Sequence, residues 1–247
     1  MGKENLSDTH ASGLSSFPTG GIAVVIGASG AIGQALLTRL SEERTFCEAL
    51  GYARASTIPL DLMSEASIEL AAADVANRGA PLRLVIDATG VLDGEGCFAE
   101  KTWRQLNLPA MARAFAVNAL GPALLMKHFL PLFPGEGKCL FATLSARVGS
   151  IGDNHLGGWY SYRASKAALN QFVRTAALEL ARTRPQGLCV ALHPGTVATR
   201  LSARYTTAGL DVQSPAKAAM RVLTALDTLR PQESGGFYDQ HGRVIPW

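Results

Sequence analysis

The chain carries little charge and no concentration of one sign. In 247 residues, 23 Lys and Arg stand against 20 Asp and Glu, a formal net charge of +3. The basic residues are scattered, so a nucleic-acid surface is not expected. The four cysteines, Cys47, Cys97, Cys139 and Cys189, include no C-x-x-C pair. That argues against a zinc site or a disulfide framework and for reduced thiols in a cytoplasmic protein. No apolar run reaches the roughly 18 residues that a membrane span needs. The first twenty residues, ending Ser15-Ser16-Phe17-Pro18-Thr19-Gly20, lack the apolar segment of a signal peptide and are expected to form a flexible extension, 1–20, before a single domain, 21–247. No internal repeat is visible. With hydrophobic residues at 47% of the chain, the expectation is a globular protein with a large core, working on a small molecule.

Apolar strands and helical stretches alternate along that domain. Ile22 to Ile26 is a β-branched run that enters Gly27-Ala28-Ser29-Gly30-Ala31-Ile32-Gly33, and a helix follows from near Gln34. Glycines let the backbone turn tightly against a pyrophosphate, and the free amides of the helix N-terminus meet its charge. The second strand should end near Leu50-Gly51-Tyr52-Ala53-Arg54, about 20 residues beyond the turn, where a dinucleotide's adenosine ribose lies. No acid occurs between Glu48 and Asp61. An acid there would bond the 2′-hydroxyl of NAD, whereas Arg54 suits the 2′-phosphate of NADP, so NADP(H) is favoured over NAD(H).

Ser64 should cap a helix running through Ile68, Leu70 and Val75 towards Arg78. Leu82 to Ile86 reads as a strand ending in Asp87-Ala88-Thr89-Gly90, at the sheet edge where ligands sit. A helix from about Pro109 to Phe133 carries Asn118, and a polar side chain in such an apolar helix has a bonding duty. Strands Lys138–Leu144 and Leu188–Leu192, a last helix capped by Ser214 with Pro215 in its first turn, and a strand over Gly235–Tyr238 complete the pattern. The alternation predicts an α/β fold: a single-domain, doubly wound parallel sheet with helices on both faces.

Tyr162 and Lys166 stand four residues apart at the start of a helical run whose apolar positions are Leu169, Phe172, Val173, Ala176 and Leu180. That spacing puts both on one helix face. A phenol, with an ordinary pKa near 10, is a weak acid or base at neutral pH, but a neighbouring ammonium favours the phenolate and suits the pair to proton transfer at a carbonyl oxygen.

With these pieces in order, the chain resembles the short-chain dehydrogenase/reductase family over nearly all of 21–247. The resemblance rests jointly on the 27–33 turn, Asp61 after the third strand, Asp87-Ala88-Thr89-Gly90, Asn118, the Ser145 region, Tyr162 with Lys166, and Pro194-Gly195-Thr196-Val197-Ala198-Thr199. The segments Gly149-Ser150-Ile151-Gly152-Asp153-Asn154, Gly157-Gly158-Trp159-Tyr160 and Ile245-Pro246-Trp247 look most like its C-factor-like branch, whose members include carbonyl reductases and a protein tied to intercellular signalling. The resemblance implies Tyr162 as general acid/base, Lys166 lowering its pKa and holding the nicotinamide ribose, and Asn118 anchoring a water. It implies cofactor contacts from Gly27, Ser29, Gly30, Ala31, Ile32, Gly33, Asp61, Leu62, Ala88, Thr89, Gly90, Pro194, Gly195, Val197 and Thr199. A homodimer or homotetramer is implied too, with the Tyr/Lys helix and the long helix before it as the shared surface.

Two positions depart from the family pattern. The middle glycine of the Gly turn is Ala31, which is small enough for the cofactor. The second serine expected after the fifth strand is Ala146, so the hydroxyl that polarises the carbonyl would come from Ser145 or Ser150; Ser145 is the nearer to the sheet edge. His155 and Trp159 could line a substrate pocket or serve as a loop polar residue and a packing aromatic, and His193 is expected to be structural. The leading expectation is an NADP(H)-dependent oxidoreductase of a small carbonyl or alcohol; the alternative is a dinucleotide-binding signalling protein of C-factor type.

Overall fold

The computed structural model describes residues 13–94, 96–200, 202 and 211–247. Six parallel strands make the central sheet: β1 (Gly21–Ile26), β2 (Phe46–Tyr52), β3 (Leu82–Asp87), β4 (Cys139–Leu144), β5 (Gly187–His193) and β8 (Phe237–Asp239), in the order β2-β1-β3-β4-β5-β8. A short parallel pair, β6 (Thr196–Val197) and β7 (Val212–Gln213), lies apart from it. Residues of β1, β3, β4 and β5 are buried on both faces, which explains their near-continuous apolar sequences. The strand order reverses between β1 and β3, so a crevice opens at the carboxyl ends there.

Helices cover both faces. On one side α2 (Glu65–Ala76), α4 (Gly121–Phe129) and α5 (Tyr160–Thr183) pack through Ile68, Phe129, Leu169 and Val173; on the other, α1 (Ala31–Glu42) and α6 (Pro215–Thr228) pack through Leu36, Leu40, Val222 and Leu226. The stripe expected on α5 is shifted slightly. Ala177 is buried with Leu169, Val173 and Leu180, while Phe172 is exposed. Ser214 caps α6 as its position suggests, its hydroxyl accepting from the Lys217 amide at 3.2 Å. Ser64 occupies the N-cap of α2 without a side-chain cap bond.

Three expectations need correction. No strand forms near Asp61. Pro59 has no N–H to give a ladder, and the Leu60 amide bonds back to the Ala53 carbonyl at 3.0 Å, closing a loop. The apolar stretch 108–132 is, by length and composition, able to cross a membrane. It is no uniform helix, because α3 (Leu108–Phe115) and α4 are joined by a π-helical turn at Ala116–Leu120 and followed by a 3₁₀ turn, Leu130–Leu132. Nor does the described part of the extension stand free of the domain. Leu14 and Phe17 are each 3% exposed in the α1/α6 core, and Ser16 gives its amide and its hydroxyl to the Asp227 carboxylate. Lys138 completes this clasp by donating to Ser16 Oγ and to the Leu226 and Asp227 carbonyls at the end of α6. Residues 1–12 lie outside the described residues.

Candidate active site

The Gly turn shows why each small residue stands where it does. Gly27 has φ +82°, and a side chain there would press on the Ala88 carbonyl and Thr89. A side chain on Gly33 would overlap the Gly27 carbonyl oxygen. The departure at Ala31 costs little, because Ala31 is the first residue of α1 and its side chain faces outward. The N-terminus of α1 has no side-chain cap and no acid in its first turn. Its amides are therefore open to an anion, and this cradle fits a dinucleotide pyrophosphate. Arg54 follows β2 on the exposed side, two residues beyond Tyr52, whose hydroxyl donates to Asp74 at 2.5 Å.

Across the crevice, Ala88 joins the Ile26 carbonyl at 2.8 Å and Asp61 accepts from the Met63 amide at 2.9 Å. Leu62 packs on Gly121, where any side chain would collide with it. Gly195 has φ +81° beside Gln213, and buried Gln213 donates to the Pro194 carbonyl at 2.5 Å while Arg221 holds its oxygen at 2.9 Å. Gln213 thus fixes the Pro194–Val197 loop. Val197 is buried, and Thr199 turns onto Ser202. Of residues 200–210, which continue this loop, only Arg200 and Ser202 are among the described residues.

Tyr162 and Lys166 are both buried, with Lys166 Nζ 6.0 Å from the Tyr162 ring centroid. Nζ donates to the Leu144 carbonyl at 2.7 Å. A side chain at Gly90 would lie 3.6 Å from Nζ and 3.5 Å from Asn118 Oδ1, so Gly90 keeps the space over both groups open. Against the expectation that Lys166 lowers it, the Tyr162 phenol is pushed up to about 12 by burial, and burial draws Lys166 down to about 8 against the attraction of Asp87. The phenol is protonated at neutral pH, so this arrangement can give a proton to a bound oxygen.

Asn118 sits in the π turn, a distortion that aims one residue out of the helical hydrogen-bond ladder. Its Oδ1 accepts from the Val91 amide at 2.8 Å; its Nδ2 donates to the Val91 carbonyl at 2.8 Å and to Ser165 Oγ at 3.1 Å. Ser165 in turn donates to the Tyr162 carbonyl. Asn118 therefore ties the loop after β3 to the first turn of α5.

The two serines face different ways. Ser145 Oγ, on the α5 side of the sheet, donates to Asn170 Oδ1 at 2.7 Å. Ser150 is buried in its own turn and accepts from the Asp153 amide at 3.1 Å. Ala146 precedes a 3₁₀ turn at Arg147–Gly149. His155 is exposed, whereas Trp159 lies edge-on to Tyr162 at 6.3 Å. His193 is held neutral well into the acid range, chiefly by burial, with a pKa of about 4.

Other contributors carry no local sequence signal. Glu100 is fully buried and caps α5 from sixty residues upstream: its carboxylate accepts from the Ser161 amide at 3.1 Å and from the Ser161 hydroxyl. Trp159 precedes that helix with φ +52°, unusual for a bulky residue, its amide bonded to the Glu100 carbonyl. Arg163 donates to the carbonyls of Val148, Gly157 and Gly158, binding both ends of the 148–158 loop to α5.

This sheet, the glycine cradle and the Tyr/Lys pair belong together in one class. A family model described as enoyl-(acyl carrier protein) reductase matches residues 21–228, and the chain belongs to the short-chain dehydrogenase/reductase family, whose members are nicotinamide-dinucleotide oxidoreductases. Within it, the chain falls in the C-factor-like branch. It is 40% identical over 139 residues to the C-signal protein of Myxococcus xanthus, covering 56% of this chain and 78% of that one. It is 34% identical over 191 residues to the 1-hydroxy-2-glutathionyl-2-methyl-3-butene dehydrogenase of a Rhodococcus species, covering 76% and 78%. Among solved structures, the NADPH-bound carbonyl reductase from chicken fatty liver superposes with a TM-score of 0.81 at 26% identity, over 95% of this chain and 97% of that one.

Proposed function

We propose that the protein is an NADP(H)-dependent reductase of a small carbonyl compound, with Tyr162 as the proton donor. The observation carrying this reading is the burial of Tyr162 beside Lys166, whose Nζ is held by the Leu144 carbonyl at the carboxyl end of β4, with Asn118 linked to the same helix through Ser165. The α1 N-terminus holds the pyrophosphate, Arg54 pairs with the 2′-phosphate, Asp61 and Leu62 border the adenine, and Ala88, Thr89, Gly90, Pro194, Gly195, Val197 and Thr199 enclose the nicotinamide half. When bound, the nicotinamide supplies or accepts the hydride. Tyr162 gives its proton to the carbonyl oxygen, Lys166 stabilises the phenolate left behind, and the Ser145 hydroxyl is the second donor to that oxygen. The preference for NADP(H) draws support from Arg54 and from the NADPH-bound carbonyl reductase that the fold resembles. A homo-oligomer joined through α4 and α5 fits the exposed Leu120 at the residue before α4 and the exposed Phe172 and Leu178 on α5. The test is an NADPH-oxidation screen across aldehydes, ketones and quinones; failure of every class to oxidise NADPH would remove the reductase reading.

A second reading, a dinucleotide-binding signalling protein, is favoured by the likeness to the C-signal protein. It predicts that cofactor binding persists in a Tyr162→Phe variant and that signalling activity does too. The reductase reading predicts that turnover is lost.

A further inference from the structure

Asp87 ends β3 with none of its surface exposed. Its Oδ2 accepts from the Thr143 hydroxyl at 2.6 Å, and its Oδ1 accepts from the Thr89 hydroxyl at 2.6 Å and the Thr89 amide at 3.0 Å. Three donors point into the group. All three can donate to a carboxylate at once; burial raises the Asp87 pKa, while these hydrogen bonds and the charge of Lys166 pull it down. A buried carboxylate is costly unless a cation answers it.

The cation is at hand. In the sheet Asp87 pairs with Thr143, and the next residue, Leu144, offers the carbonyl that holds Lys166 Nζ at 2.7 Å. Both charged groups therefore rest on the Thr143-Leu144 step, on the α5 side of the sheet. The other groups around Nζ are neutral: the Tyr162 ring, the Asn118 carboxamide beyond Gly90 and the Leu144 carbonyl. Among the described residues, Asp87 supplies the charge that favours the ammonium form of Lys166. We propose that Asp87 is the counter-charge of Lys166, a positioning residue that touches neither substrate nor cofactor and keeps Lys166 protonated inside the sheet edge. The inference rests on the reading of Tyr162 and Lys166 as the proton-transfer pair. Losing Asp87 leaves an ammonium in a low-dielectric site with only a carbonyl to hold it, and it gives up its proton more readily.

The test does not depend on turnover. The full chain is labelled with lysine carrying 15N at Nζ, the Lys166 signal is assigned from its loss in Lys166→Met, and its titration is followed in wild type and Asp87→Asn. The expected result is a midpoint lower by about one pH unit or more in Asp87→Asn. With a carbonyl substrate identified by the screen, the alkaline limb of kcat should move down by the same interval, a change that a merely structural role for Asp87 would not produce. If Asp87→Asn does not fold, Thr143→Val carries the test. Removing that donor makes the carboxyl easier to protonate, so the Lys166 midpoint should again fall. An unmoved Lys166 midpoint in the folded variant overturns the proposal. A moved midpoint without reduction of any carbonyl upholds the charge pair and removes the reductase reading instead.

Discussion

The Ser145 hydroxyl gives its only proton to Asn170 Oδ1 at 2.7 Å, while Asn170 Nδ2, buried on the same side chain, has no hydrogen-bond partner. Rotating that amide by half a turn would let Nδ2 donate to Ser145 Oγ and release the hydroxyl proton for a substrate oxygen. Ser145→Ala is therefore expected to lower kcat by about 10²- to 10³-fold, the usual effect of losing an oxyanion donor, with the NADPH Kd nearly unchanged. Ser150→Ala should stay near wild type, since its hydroxyl serves the Asp153 amide. Steady-state kinetics on both variants decides between them, and the reverse pattern would assign the role to the loop serine.

Tyr162→Phe should keep the fold and the cofactor, because the ring still meets Trp159 and the hydroxyl is the only group removed. The expected loss in kcat is about a hundredfold or more. Fluorescence titration with NADPH alongside single-turnover kinetics separates binding from chemistry. A variant that still turns over near the wild-type rate would show that the proton comes from elsewhere.

Arg54→Ala should weaken NADPH at least about tenfold and leave NADH nearly unchanged, the scale of one charge-assisted bond of about 1.5–3 kcal/mol. Titration of both cofactors against both proteins gives the ratio directly. An equal preference in wild type and variant would take the 2′-phosphate away from Arg54.

Lys138 gives a pH signature of the N-terminal clasp. Burial brings its pKa from 10.5 to about 8. Between those values the unfolded chain binds more protons than the folded one, so this group's contribution to stability rises with pH across that window and is flat below it. Comparing Tm for wild type and Lys138→Met at a series of pH values should show the difference moving in favour of wild type as pH climbs through about 8 towards 10.5. A difference that stays level would mean that the ammonium is not penalised by its site.

What the sequence disclosed and what it hid divide along contact distance. The strand, glycine turn and helix over 22–34, the Tyr162/Lys166 pair and the Ser214 cap are local patterns, in which spacing alone fixes geometry. Asn118 was visible as a polar residue in an apolar helix, though not the π turn that holds it. Glu100 on Ser161, Gln213 on Pro194, Arg163 on the 148–158 loop and Asp87 on Thr143 join residues whose relation only the folded sheet creates. The strand expected before Asp61 was lost to Pro59, and the extension expected to hang free was captured by two apolar side chains too widely spaced to read as an element.

That capture bears on how the protein is cut for expression. The family match starts at residue 21, and a gene trimmed to that boundary would discard Leu14 and Phe17. Phe46, whose ring lies tilted against that of Phe17 with centroids 5.8 Å apart, would lose that partner, and Lys138, centred 4.6 Å over the same ring, would lose its aromatic cover. The shortened chain would keep every residue of the proposed site and still present a greasy, half-uncapped seam along the outer ends of α1 and α6, the kind of surface through which recombinant proteins precipitate.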